Sequence, residues 1–385
     1  MKIEQIWEST FQKSYGTPKI NIVSGSGCYL VSDDKRRYLD FIGGIATNVL
    51  GHAHPAIIKA VRKQIGVVAH VSNLYANPVS LQLAKKLIEM TGDASSRVFF
   101  CNSGAEANEA ALKLSRKTGR TKLLATLGSF HGRTMGALSL TGQAGKRELF
   151  SPLIKGVKYL PFGDIAAMQR TITKKCAMVI VEPIQGENGV IAPPAGYLKA
   201  IRQRCDETGT LLAIDAIQTG MGRTGFWFGY EHEEIKPDVI TLAKGLGGGL
   251  PLGAMIAIGS AAELFQPGEH GSTFGGNPVS CAAGIAAISE IEKQALNERA
   301  LALGEYLKEN LLEIDGVSEV RGRGLLIGIG LGKPWAKEIS NYLLAKRVLV
   351  NAPNDHTIRI APPLIVTKRE CDKFLKVFKE VMQNG

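Results

Sequence analysis

The middle of the chain alternates short apolar runs with longer stretches of helical spacing. Arg97–Cys101, Lys122–Thr126, Ala177–Glu182, Leu211–Asp215, Asp238–Leu242 and Gly253–Ile258 are β-branched or apolar and of strand length. Several are apolar at consecutive positions, so both of their faces must be buried. That suits a parallel sheet covered by helices better than an antiparallel sheet with one wet face. Between them, Ala105–Arg116 carries Ala107, Ala110, Ala111 and Leu114 at helical spacing, and Tyr197–Thr208 stops at Gly209. Strand–helix–strand alternation predicts a three-layer α/β domain.

The last hundred residues follow another rhythm. Pro278–Glu292 and Leu296–Leu312 read as helices, then come short runs around Gly324–Gly330, Arg347–Val350 and His356–Ile360, and a closing helix over Lys368–Met382. This is an α+β pattern. Gly27–Phe41 reads as a hairpin turning at Asp33-Asp34-Lys35, and is expected to join it. The expected organisation is therefore a large domain over 46–275 and a small domain built from 1–45 and 276–385. No internal repeat, low-complexity tract or Pro/Ser-rich linker interrupts the chain.

Composition changes this picture little. With 385 residues the chain can bury a large core, and 21% charged residues are ordinary for a globular protein. The net charge of +11 leans toward anionic small molecules, because Arg36-Arg37, Lys85-Lys86 and Lys174-Lys175 lie far apart and form no nucleic-acid stripe. The six cysteines form no CxxC, so free buried thiols in a reducing compartment are expected. The opening MKIEQIWESTFQKSYG lacks a continuous apolar stretch, and no segment reaches membrane-spanning length; a cytoplasmic protein is expected.

Four segments carry candidate chemistry. Lys244 follows an apolar run and opens onto five glycines between Gly245 and Gly253. A lysine becomes nucleophilic when desolvation lowers its pKa, and glycines let a planar cofactor lie against backbone. A surface lysine at a strand end is the plain alternative. Asp215 ends the strand Leu211–Asp215, over the crevice where α/β sheets bind ligands. A buried Asp needs a partner, and a protonated pyridine nitrogen is one. Further on, Gly220-Met-Gly222-Arg-Thr-Gly225 satisfies GxGxxG. However, Phe-Trp-Phe-Gly-Tyr follows instead of a helix, which weakens a dinucleotide reading. Cys101-Asn-Ser103-Gly104-Ala105 runs from strand to helix and offers either a phosphate cradle or ordinary capping. Phe130 and Arg133 share a short loop and can supply a stacking face and a carboxylate clamp. His52 and His54 have metal-like spacing but no third ligand, and read as structural with no metal expected.

Together these segments resemble the class III (ornithine/4-aminobutyrate type) aminotransferases, a branch of the fold-type-I pyridoxal phosphate enzymes. The motifs come in that family's order: Asn102–Asn108, Phe130-His-Gly-Arg133, Val181-Glu-Pro-Ile-Gln-Gly-Glu187, Asp215 with Gln218, Ala243-Lys244-Gly, and Gly271-Ser-Thr273-Phe-Gly-Gly-Asn-Pro278. Within the class, Gly43–Pro55 and Val71–Tyr75 are most similar to the acetylornithine aminotransferase branch.

The resemblance implies roles. Lys244 would hold pyridoxal 5'-phosphate as a Schiff base and shuttle a proton, and Asp215 would pair with the pyridinium nitrogen. Gln218 would donate to the ring oxygen, and Phe130 would stack on the ring. Ser103, Gly104 and Ala105 would cradle the phosphate, joined by Thr273 of the partner subunit in a homodimer with shared sites. Arg133 would bind a substrate carboxylate, with Ser272 nearby. Arg359 would take the α-carboxylate of glutamate and Glu187 would mask it. The implied reaction is transamination of N2-acetyl-L-ornithine with 2-oxoglutarate, to N-acetyl-L-glutamate 5-semialdehyde and L-glutamate, in ping-pong fashion. Ornithine, 4-aminobutyrate and succinyl-diaminopimelate remain alternative donors, and an NAD(P)-dependent oxidoreductase using Gly220–Gly225 is the rival from another class. Two positions depart from the family pattern. Ala216 stands where Glu is usual, and Asn188 stands where Gly or Ala is commoner; Asn tolerates left-handed backbone better than most residues, so little effect is expected.

Overall fold

The computed structural model describes residues 3–384. Near the N-terminus, β1 (Ile22–Ser26), β2 (Tyr29–Ser32) and β3 (Arg37–Asp40) form an antiparallel meander whose second turn falls at the expected Asp33-Asp34-Lys35. Seven strands follow: β4 (Arg97–Cys101), β5 (Lys122–Thr126), β6 (Val157–Leu160), β7 (Cys176–Val181), β8 (Leu211–Asp215), β9 (Val239–Leu242) and β10 (Gly253–Ala257). They form one sheet in the order β4-β10-β9-β8-β7-β5-β6. Only β10 runs against its neighbours, so the sheet is mostly parallel as expected.

The alternation of side chains explains the three layers. In β7, Val179 and Val181 pack with Leu83, Tyr197, Ile201 and Ile288 on one face, whereas Met178 and Ile180 pack with Ala110, Ala111 and Leu114 on the other. Every residue of β7, β8, β9 and β10 is buried, which is why these strands read as continuous apolar runs. The edge strand β6, Val-Lys-Tyr-Leu, escaped the sequence pattern because only Leu160 is buried, while Val157 and Tyr159 are half-buried and Lys158 is exposed.

Toward the C-terminus, β11 (Val317–Arg323), β12 (Leu326–Leu331), β14 (Asn351–Asn354) and β15 (Thr357–Ile360) form an antiparallel sheet, while β13 (Val348–Leu349) pairs in parallel with β3. One apolar core then unites Leu39, Phe41 and Leu50 with Leu307, Leu311, Phe374 and Phe378. Distant ends of the chain thus share one interior. Among the described residues, no helix is long and apolar enough to cross a membrane.

Candidate active site

The carboxyl ends of the parallel strands converge on a cavity of about 520 Å³. β4 leads to Ser103, β5 to Phe130, β7 to Glu182, β8 ends in Asp215, and β9 leads to Lys244. All five of these side chains line the cavity, together with Gly104, Ala105, Arg133, Glu187 and Gln218. This is the crevice that an open α/β sheet offers to a ligand.

Ser103 caps the helix Gly104–Arg116, its Oγ accepting from Glu106 N at 3.2 Å. Glu106 Oε2 in turn accepts from the Asn102 N–H and side-chain amide, both at 2.9 Å. The plain capping reading therefore holds. It does not compete with an anion site, because the first N–H groups of a helix have no intrahelical acceptor and the Ser103 proton is still free to donate.

Asp215 is buried and held from three directions. Its Oδ2 accepts from Asn108 Nδ2 at 2.8 Å and from His131 Nδ1 at 2.7 Å, and its Oδ1 accepts from Ile217 N at 3.1 Å. Hydrogen bonds of this kind to a carboxylate are short and fix its direction. Oδ1, with one backbone donor, retains a lone pair for a ligand N–H. Nearby, Glu182 accepts from Phe130 N at 3.1 Å. Burial, and then the charge of Asp215, push its carboxyl well above the usual carboxylate range.

Lys244 stands at φ 45°, a left-handed backbone unusual for a non-glycine residue. Local strain at a chemically active position is a recurrent feature of functional sites. Burial pushes its ammonium below the usual lysine value. Glu187, Asp215 and Glu182 oppose that shift, and Arg359 adds to it. The result is an amine easier to deprotonate than a surface lysine.

Glu187 and Arg359 come from distant segments and meet at 2.6 Å. Burial raises the Glu187 carboxyl, but Arg359 and Lys244 outweigh it and the net shift is downward. Gln218 bridges the pair, donating to Glu187 Oε1 at 3.4 Å and accepting from Arg359 Nη1 at 3.2 Å.

The sequence model of the family described as "Aminotransferase class-III" matches residues 10–382. The chain is a class-III aminotransferase. It is 50% identical over 387 residues to an acetylornithine aminotransferase of Streptomyces coelicolor, covering 100% of this chain and 96% of that protein. The solved ornithine aminotransferase of Toxoplasma gondii superposes with a TM-score of 0.94 at 29% identity, covering 99% of this chain and 94% of the other. The acetylornithine aminotransferase of Elizabethkingia anophelis gives a TM-score of 0.87 at 30% identity, covering 99% and 98%.

Aminotransferases of this class depend on pyridoxal phosphate, and the donor set here fits it. One cavity contains a helix start able to accept a phosphate, a buried carboxylate able to face a pyridinium, and an amine of lowered pKa able to meet an aldehyde.

The other candidate residues divide between the cavity and its surroundings. Arg133 lines the cavity, with its guanidinium carbon 5.6 Å from the Phe130 ring centre, and Lys146 Nζ lies 5.3 Å from the same ring. Ser272 instead accepts from Asn102 Nδ2 at 3.3 Å, beside the Ser103 turn, and Thr273 is exposed; neither lines this chain's cavity. Asn108, His131, Glu182, Lys146 and Asn351 were not singled out from the sequence. Asn108 lies inside a quoted motif and faces the sheet side of its helix, but its contact with Asp215 spans 107 positions.

Three sequence readings need correction or sharpening. Asn188 is not in the left-handed region; that geometry falls on Gly189 (φ 101°) and Val190 (φ 58°), and Asn188 Nδ2 donates to Gln185 Oε1 at 2.9 Å. The Gly220–Gly225 segment is no dinucleotide loop. A Cβ at Gly225 would meet Leu301 Cγ at 2.1 Å, and Arg223 is buried, donating to the Leu325 and Pro362 carbonyls. Packing leaves no room there for a pyrophosphate. Ala216 is buried with both backbone groups bonded, to Thr241 O and Gly220 N, and the three donors to Asp215 are unaffected by the missing Glu. His52 pairs with Asp40 at 2.8 Å and His54 caps the helix Pro55–Ile65, so both histidines have structural work. The six cysteines are free and buried.

Proposed function

We propose that this aminotransferase transfers the amino group of N2-acetyl-L-ornithine to 2-oxoglutarate, giving N-acetyl-L-glutamate 5-semialdehyde and L-glutamate, in two half-reactions on one site. This resembles a step of arginine biosynthesis. The observation that carries the reading is the 2.6 Å Glu187–Arg359 pair inside a cavity that also holds Arg133. Two amino donors of unlike shape must use one centre. Acetylornithine reacts at its terminal amine, so its α-carboxylate lies far from the reacting carbon, where Arg133 receives it. Glutamate reacts at its α-amine, so its α-carboxylate falls close by and needs a second cation. Arg359 supplies that cation, and Glu187 covers it when acetylornithine is bound. The name borne by the Streptomyces relative supports the same donor.

Bound pyridoxal phosphate supplies the aldehyde that carries the amino group and a ring that withdraws electrons from the substrate carbon. Lys244 Nζ would hold it at rest and, once freed, would move the proton from the carbon bearing the amine. Asp215, held in place by Asn108 and His131, would pair with the ring nitrogen; Gln218 would donate to the ring oxygen; and Phe130 would stack on the ring. The turn at Ser103, Gly104 and Ala105 would receive the phosphate. Thr273 of the partner subunit completes that cradle in a cytoplasmic homodimer, with Ser272 near the substrate. The exposed position of Thr273, and of Phe274 beside it, supports a role across an interface. The single core joining Leu39 and Phe41 to Phe374 and Phe378 supports a small domain of 1–45 and 276–385 beside a large domain of 46–275.

A donor panel against 2-oxoglutarate tests the substrate. Acetylornithine should give the highest kcat/KM, above ornithine, 4-aminobutyrate and succinyl-diaminopimelate. A higher value for any of those three would reassign the donor while leaving the chemistry intact.

A further inference from the structure

Arg359 is 2% exposed, and its guanidinium is held at two ends. Nη1 donates to two residues of the cavity, Glu187 Oε1 at 2.6 Å and Gln218 Oε1 at 3.2 Å, and to the neighbouring Gly186 carbonyl at 3.1 Å. Nη2 donates instead to Asn351 Oδ1 at 2.9 Å. Asn351 does not line the cavity. It sits in β14 directly across the ladder from Arg359 in β15, so backbone pairing sets the distance between the two side chains. Nε is buried without a partner, so the arginine has no spare hydrogen bond to fall back on.

Three of the four acceptors are neutral, and Glu187 is the one that carries charge. We propose that Asn351 is a specificity-determining positioning residue, a neutral anchor that keeps Arg359 aimed at the cavity when Glu187 withdraws. This rests on the reading that Glu187 and an incoming carboxylate exchange on Arg359. Neutrality of the anchor is the essential point. A carboxylate in place of Asn351 would compensate the guanidinium permanently, so an arriving α-carboxylate would meet an already neutralised cation. An apolar residue would leave Nη2 without an acceptor in a buried setting, and an unmade hydrogen bond there is costly. Asn supplies the bond without spending the charge. Acetylornithine, which reacts while Arg359 is masked, makes no demand on this anchor.

The two half-reactions can be measured separately on the holoenzyme by single-turnover absorbance, with N-acetylornithine or glutamate as donor. Asn351→Asp should raise the apparent dissociation constant for glutamate, and KM for 2-oxoglutarate, by about tenfold or more, given the strength of a hydrogen bond to a charged group. The limiting rates and the acetylornithine half-reaction should stay near wild type. Asn351→Ser, which keeps a neutral acceptor, should lie closer to wild type than Asn351→Asp. Should the Asp variant fail to fold, Asn351→Ala carries the test, with glutamate affinity falling several-fold and acetylornithine unchanged. Glu187→Ala is the control for the underlying reading. If it shifts the glutamate-to-acetylornithine ratio while the Asn351 variants leave that ratio unchanged, or slow both halves equally, the anchor role is wrong and the exchange stands. If Glu187→Ala leaves the ratio unchanged too, the exchange itself is wrong and the anchor falls with it.

Discussion

Removing the Glu187 carboxylate takes away the one charged hydrogen-bond partner of Arg359 among the described residues. In Glu187→Ala the guanidinium keeps Gly186 O, Gln218 and Asn351, so the fold should survive. What changes is the competition for Arg359. Glutamate no longer has to displace an internal carboxylate, and acetylornithine no longer finds the cation masked. A hydrogen bond to a charged group contributes about 1.5–3 kcal/mol. At about 1.4 kcal/mol per factor of ten, the single-turnover ratio of glutamate to acetylornithine should rise about 10- to 140-fold. Ornithine, with a free α-amine, should also begin to react at its α-carbon, which product analysis would reveal. The pH dependence follows from the lowered pKa of Glu187. Its folded value lies below the ordinary 4.5, so the pair is present above that pH and is lost only as pH falls through the lowered value. Wild-type discrimination should therefore be flat from pH 6 to 8. If both rates fall together in the variant and their ratio does not move, the pair is scaffolding and the exchange argument fails.

Two further substitutions probe the rest of the site. Asp215→Asn is nearly isosteric, but it removes the charge and sets an amide where Ile217 N, Asn108 and His131 all donate. Turnover should fall about 10²- to 10³-fold, the usual loss for an electrostatic group at a reacting centre, with the thermal melt close to wild type; near-normal turnover would refute the role. In Gly186→Ala the new Cβ would come within 1.7 Å of Gln218 Oε1, so Gln218 must move. Cofactor affinity by equilibrium dialysis should fall and glutamate discrimination should weaken, whereas unchanged values would show that Gln218 serves neither.

The large domain was legible because its central strands are buried on both faces. A continuous apolar run of strand length such as Cys176–Val181 belongs inside a covered sheet, and the ends of such strands then point to Asp215 and Lys244. The candidate site was legible for the same reason: its side chains follow the ends of recognisable strands. What escaped notice depends on distant pairing. Asn351 looks like a loop residue until β14 is laid against β15. Asn108 and His131 gain their meaning only when a helix and a loop close over Asp215. The Gly220–Gly225 motif shows the converse: a short glycine pattern cannot report that Leu301 already fills the space, and in the sequence only the missing helix after it argued against a dinucleotide.

The attachment of the cofactor to Lys244 is the point on which the account turns. Burial lowers the pKa of this amine, and the cavity places it beside Asp215, Gln218 and the Ser103 helix start. Borohydride reduction of the holoenzyme, followed by proteolysis and peptide mass mapping, reads the attachment directly. The pyridoxyl group should be found on the peptide containing Lys244, and Lys244→Ala should yield no such peptide and no turnover. Recovery of the group on any other lysine would contradict the account.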